Sequence, residues 1–181
     1  MKWMDTDVDM HDFEVEELYF DEPIGKETQS CLDQASKKYG KSSAEKNLLR
    51  AYFLEPEHPL VLVALYRFYY YQHRYVDALE VAERVLKVYS KRLELPSNWQ
   101  ELTDQHFEQL DKQSMTEIRF YLLALKGAGY LEMRLENFKN AIERLQKVVN
   151  VDSEDRMNAL SLLQTAEDEI DRQSGIYRLR F

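Results

Sequence analysis

The chain has 181 residues, 44% of them hydrophobic and 31% charged, with only five glycines and four prolines, which suits one mostly helical domain with a substantial core. Its single cysteine, Cys31, excludes an internal disulfide or thiolate metal cluster and reads as a small buried apolar residue. The formal charge of −9 is concentrated in residues 1–25, which hold nine acids against Lys2, while the remaining 24 acids and 23 bases nearly balance.

The acidic segment, residues 1–24, interleaves its carboxylates with Trp3, Met4, Val8, Met10, Phe13, Val15, Leu18 and Phe20. It lacks the basic start and apolar stretch of a secretory signal, and no later run reaches the ~18 apolar residues that cross a bilayer, so a cytoplasmic protein without membrane insertion is predicted. Asp5, Asp7, Asp9 and Glu16 match four acidic slots of a calcium loop, but Met10 fills the slot that needs glycine, and only four residues stand before Asp5 where a helix should enter.

A fixed period follows. KSSAEKNLLRAYFLEP (41–56) aligns with RYVDALEVAERVLKVYS (74–90) at a spacing of 34, placing Ala44 on Ala78, Leu48 on Ala82, Ala51 on Val85 and Tyr52 on Leu86. ENFKNAIERLQKVVNVDS (136–153) supplies Phe138, Ala141, Leu145, Val148, Val149 and Val151 to the same slots. Ala141 lies 63 residues after Ala78, so about 29 residues are inserted between the second and third copies. This insertion, 93–121, also reads as helix: Ser97 with Gln100 and Ser114 with Glu117 are spaced as capping boxes. A last helix over 154–172 carries Met157, Leu160, Leu163, Ala166 and Ile170 at spacings of three and four, the pattern of a helix capping an array. In the tail, 173–181, IYRLRF alternates apolar residues with Arg178 and Arg180, as an added strand, a docking peptide or a frayed terminus.

The pattern resembles the tetratricopeptide repeat family, a 34-residue helix-turn-helix with small residues where its helices cross. The residues that carry the resemblance are Ala44, Ala51 and Pro56; Leu65, Tyr69, Tyr75, Ala78 and Ala82; and Gly129, Phe138 and Ala141. It implies an all-α array with repeats at about 25–58, 59–92 and 122–155 inside a domain spanning 25–172. His73 stands where that family usually has glycine, and Tyr66 where it has a small residue.

In such arrays the first helix of each repeat lines a concave surface that holds a partner peptide. By that resemblance the groove residues are Val63, Arg67, Tyr70 and Tyr71 from the second copy, Lys126, Tyr130, Met133 and Arg134 from the third, and Lys37 from the first. Tyrosine and arginine are the residue types that dominate binding hot spots. The same residues are structural if the insertion or a neighbouring subunit covers them. The carboxylate clamp of heat-shock cochaperones with this repeat is missing, since its slots hold Gln29, Asp33, Ala64, Leu123 and Gly127. Small chaperones of bacterial type III secretion share the architecture of leading segment, three repeats and closing helix, but not the insertion.

No catalytic constellation is readable: the four histidines are scattered and no glycine loop cradles phosphate. The near-neutral repeat region lacks the strongly basic surface of a nucleic-acid binder. The sequence therefore predicts a non-catalytic adaptor or scaffold that binds a protein or peptide and needs no cofactor. The alternative is a dedicated secretion-type chaperone for a hydrophobic client. The acidic segment either occupies the basic groove of its own or a neighbouring chain, as an autoinhibitory or dimer-forming peptide, or is a disordered acidic tail.

Overall fold

Helix 1, α1 (Lys26–Ser36), is polar along most of its length and buries only a stripe of Thr28, Cys31 and Ala35. Its N-cap, Gly25, has no side chain to cap the first turn, and Glu55, 30 residues away, supplies the missing acceptor. The Glu55 carboxylate accepts from the Gly25 amide at 2.9 Å and the Thr28 hydroxyl at 2.6 Å. The Thr28 bond, and then the Gly25 amide, hold its pKa below the usual carboxylate value.

These elements come from a computed structural model that describes residues 22–38, 42–108, 114–152 and 154–175. The calcium-loop reading, most of the acidic segment and IYRLRF lie outside the described residues. The chain is all-α: α1 is followed by α2 (Ser42–Leu54), α3 (Pro59–Tyr71), α4 (Tyr75–Arg92), a 3-10 turn (Trp99–Glu101), α5 (Asp104–Glu108), α6 (Met115–Arg134), α7 (Phe138–Val151) and α8 (Ala159–Gln173). Each long helix packs on the one before it, α6 packing on α4 directly because α5 and the 3-10 turn are displaced onto α7.

Small residues sit at these crossings. Ala44, Ala51, Ala78 and Ala141 are fully buried and Ala82 is 1% exposed, so neighbouring helix backbones approach where no larger side chain intervenes. One core cluster runs from α1 to the first residue of α8, Ala159, through Leu48, Leu62, Tyr66, Val85, Tyr89, Phe120 and Leu125. A second joins α6, α7 and α8 around Phe138, Leu145 and Leu163, and Cys31 lies buried in a third with Ala51 and Val61.

The turns after α3 and α6 share one hydrogen-bond pattern. The Arg74 amide donates to the Tyr69 carbonyl and that of His73 to Tyr70; Asn137 donates to Glu132 and Glu136 to Met133. This is the 6→1 and 5→2 pairing that closes a helix around a left-handed residue. His73 (φ 56°) and Glu136 (φ 62°) hold that position, 63 residues apart like Ala78 and Ala141. α4 closes in the same way on Glu94 (φ 54°), with the Leu95 amide on the Ser90 carbonyl, so it stops at Arg92. A left-handed conformation costs a non-glycine residue about 1 kcal/mol. Glu136→Gly is therefore expected to raise unfolding free energy by about 0.5–1 kcal/mol, measured by urea titration.

Three local expectations are corrected. Ser97 does not cap a long helix: Asn98 accepts from the Gln100 amide at 3.1 Å and opens only the 3-10 turn, after which extended Leu102 inserts into the core and breaks the run. Ser114 makes no side-chain cap, and α6 begins at Met115 without a capping box. The last helix starts at Ala159, not 154, because Asp155 and Asn158 are left-handed and the Asp155 carboxylate caps the Ala159 and Leu160 amides at 2.7 and 3.1 Å. Leu160 then faces solvent at 41% exposure, and Leu162 takes its place in the buried stripe.

Candidate binding face between helices 3 and 6

Helix 3 has no acidic residue. His58 caps it, its Nδ1 accepting from the Leu60 amide at 3.2 Å, and Pro59 presets the first turn. With Nδ1 used as acceptor, Nε2 carries the proton and donates to the Glu22 carbonyl at 3.3 Å. α3 is apolar on two sides, burying Val61, Leu62, Leu65, Tyr66, Phe68 and Tyr69, which leaves Val63, Arg67, Tyr70 and Tyr71 along its remaining side.

α4 and α6 are antiparallel: Tyr89 near the end of α4 meets Phe120 near the start of α6, and Tyr75 at the start of α4 meets Arg134 at the end of α6. α3 turns back onto α4 through only three residues and is antiparallel to it as well. α3 and α6 therefore run parallel on α4, and they meet at their C-terminal ends through the Tyr70 and Tyr130 rings, 6.2 Å apart between centroids.

That end is closed by an aromatic-cation cluster. The Tyr70 hydroxyl lies 3.4 Å from that of Tyr130, and Tyr70 packs edge-on against Tyr71 and tilted against Tyr75. The Arg134 guanidinium lies 4.6 Å over the Tyr75 ring and donates to the Tyr75 and Tyr130 hydroxyls. Burial opposes its charge, but the Tyr130 hydrogen bond and the surrounding tyrosine oxygens outweigh that, so its pKa stands above the ordinary arginine value.

Of the residues expected to line a groove, Val63, Arg67, Tyr70, Tyr130 and Met133 are half-buried, while Tyr71 at 37% and Arg134 are exposed. Val63 and Tyr70 also pack on the main core, and Tyr130 and Met133 on the α6–α7–α8 cluster. Lys126 lies deepest, only 3% exposed. Lys37 is the C-cap of α1 and is exposed, and among the described residues no hydrogen bond or ion pair joins it to the cluster. Tyr75, absent from the expected groove residues, joins this set, since its ring and hydroxyl tie Arg134 to Tyr70; its place directly after the α3 turn was the available signal. Arg119, on the same α6 stripe as Leu123 and Lys126, went unnoticed because it precedes the aligned repeat. From Ile118 to Leu131 α6 carries Arg119 and Lys126 and no acid.

The described part of the insertion before α6 packs on α7. Trp99 sits 4.9 Å beneath the Arg144 guanidinium of α7, and Lys147 of α7 donates to the Gln100 and Leu102 carbonyls. Among the described residues no helix is long and apolar enough to cross a membrane, and no group of three His, Cys, Asp or Glu side chains is placed to hold a metal.

An all-α protein with one aromatic, cationic face is thus defined. It is 45% identical over 156 residues to the uncharacterized 19.8 kDa protein in the nifW 5′ region of Azotobacter chroococcum mcd 1, a match covering 86% of this chain and 87% of that protein. The chain belongs to the same family as that protein. No family model matches it, and no solved structure matches it.

Proposed function

We propose that this chain is a non-catalytic, cytoplasmic protein-binding module of the tetratricopeptide kind, which takes up a segment of a partner protein along the α3–α6 face. The observation that carries the reading is the Tyr70–Tyr75–Tyr130–Arg134 cluster at the end of a face that holds Arg67, Arg119 and Lys126 and no acid between Ile118 and Leu131 or along α3. Rigid aromatic area beside fixed guanidinium groups is the chemistry of a hot spot, and it selects for segments that mix carboxylates with apolar side chains. The buried alanines at helix crossings and the matching left-handed turns at His73 and Glu136 support the repeat assignment.

The relative's gene lies 5′ of nifW, so the product of that neighbouring gene is the first partner to assay by calorimetry. Arg67→Glu with Tyr71→Ala, both on the solvent side of α3, is expected to weaken a true partner at least ~30-fold, the loss of about one hot-spot residue. Unchanged affinity with an unchanged melting curve would remove the face from consideration.

A further inference from the structure

The first described residue, Glu22, is held by an unusually complete set of contacts. Its carboxylate takes a bidentate pair from Arg92 at 2.8 and 3.2 Å, and its carbonyl accepts from His58. Arg92 also reaches the Glu57 carbonyl at 3.3 Å and lies 5.0 Å over the Tyr89 ring. The Glu22 hydrogen bond, which outweighs the cost of burial, raises the Arg92 pKa, and Glu117 at the start of α6 adds to the effect. Residue 22 is therefore pinned where α3 begins, α4 ends and α6 begins, at the end of the parallel pair opposite the tyrosine cluster.

Twenty-one residues precede that point. They hold eight acids against Lys2, interleaved with Trp3, Phe13, Leu18 and Phe20, and they lead from one end of a face carrying Arg67, Arg119, Lys126 and Arg134. Length is sufficient in either backbone form: the face runs ~26 Å from Glu117 to Arg134, while 21 residues span ~31 Å as a helix and over twice that when extended.

We propose that residues 1–21 dock along the α3–α6 face of their own chain as a built-in competitor for the partner segment, an inference that rests on the reading of that face as the peptide site. The class of partner follows from the competitor: an acidic segment bearing aromatic and aliphatic side chains, strong enough to displace a tethered copy of the same chemistry.

Hydrogen exchange read by mass spectrometry on the full chain tests this, with a synthetic peptide of residues 1–21 as reference. Amides in the C-terminal half of the segment are expected to exchange at least ~10-fold more slowly in the chain than in the peptide. Neutralising the segment by Asp12→Asn, Glu14→Gln, Glu16→Gln and Glu17→Gln, which leaves every described residue untouched, is expected to abolish that protection. Arg67→Glu with Arg119→Glu is expected to do the same and to lower the melting temperature no further than the neutralised segment does. Exchange equal to the free peptide overturns the proposal, as does protection that survives both sets of changes. Protection that grows with protein concentration overturns it in favour of a second copy. Protected segment amides with no partner bound at this face would remove only the partner-binding reading, and a bound partner with unprotected amides only the docked segment.

Discussion

A Gly129→Val chain is expected to melt about 6–12 °C below the parent, a loss of about 3 kcal/mol at this size. Gly129 lies where α6 crosses α7, and a Cβ there would stand 2.8 Å from Leu145 Cγ and 3.1 Å from its Cδ2. Leu145 is fully buried and its Cγ is a branch point, so the clash is not relieved by swinging a chain end aside. Alanine is the informative control. It meets the same atoms but recovers about 1 kcal/mol of helix propensity, so Gly129→Ala should lie well above valine in a thermal scan. Equal melting of all three chains would mean that α6 and α7 do not approach closely at this point.

The second large effect centres on Arg144. This residue of α7 is buried, pairs with Glu83 of α4, lies 3.9 Å from the Glu132 carboxylate of α6, and covers the Trp99 ring. It therefore joins three helices and the insertion through one guanidinium. The Glu132 carboxylate, 5% exposed as a residue, also accepts from the Asn137 side-chain amide at 2.9 Å. Removing the cation strands a buried carboxylate, and Arg144→Ala is expected to cost about 3 kcal/mol, at the lower end for a broken buried pair because Glu83 keeps contact with water. The network is not fully satisfied, however: Arg144 Nε and Nη1 find no hydrogen-bond partner. Arg144→Met combined with Glu132→Gln removes both the stranded carboxylate and those idle donors. Denaturant titration is expected to place the double variant within about 1 kcal/mol of the parent. A double variant no more stable than Arg144→Ala would show that the charges themselves hold the helices together.

What was legible in the sequence followed from periodicity and steric size. Ala44, Ala78 and Ala141 are the residues on which three segments align, and all three are fully buried, because a small side chain at a helix crossing is a strong, local constraint. The helices themselves followed for the same reason. Their ends did not, since capping is decided by geometry among near-equivalent residues: Asn98 displaced Ser97, and left-handed Asp155 and Asn158 delayed the start of α8.

The candidate face was legible as residue types, tyrosine and arginine on one stripe, but not as a set of contacts. The Glu22–Arg92 pair joins residues 70 apart, and Arg144 reaches Glu83 across 61. No local pattern announces such pairs, since surface and buried arginines look alike in sequence. The stripes of α3, by contrast, were separable by register: Tyr66 is buried in the core, while Tyr71, five residues on, is 37% exposed.

The claim that the α3–α6 face receives a partner is tested most directly by photo-crosslinking in the cell of origin. A benzoylphenylalanine is placed at Tyr71 in one chain and, in another, at Phe53, which is 85% exposed on α2 and lies outside the face. The expected result is a discrete protein adduct from position 71, lost when Arg67→Glu is added, with none from position 53. Adducts from position 53 and none from position 71 would contradict the account and move the binding surface to the exposed apolar side of α2, where Leu49 and Phe53 stand one turn apart.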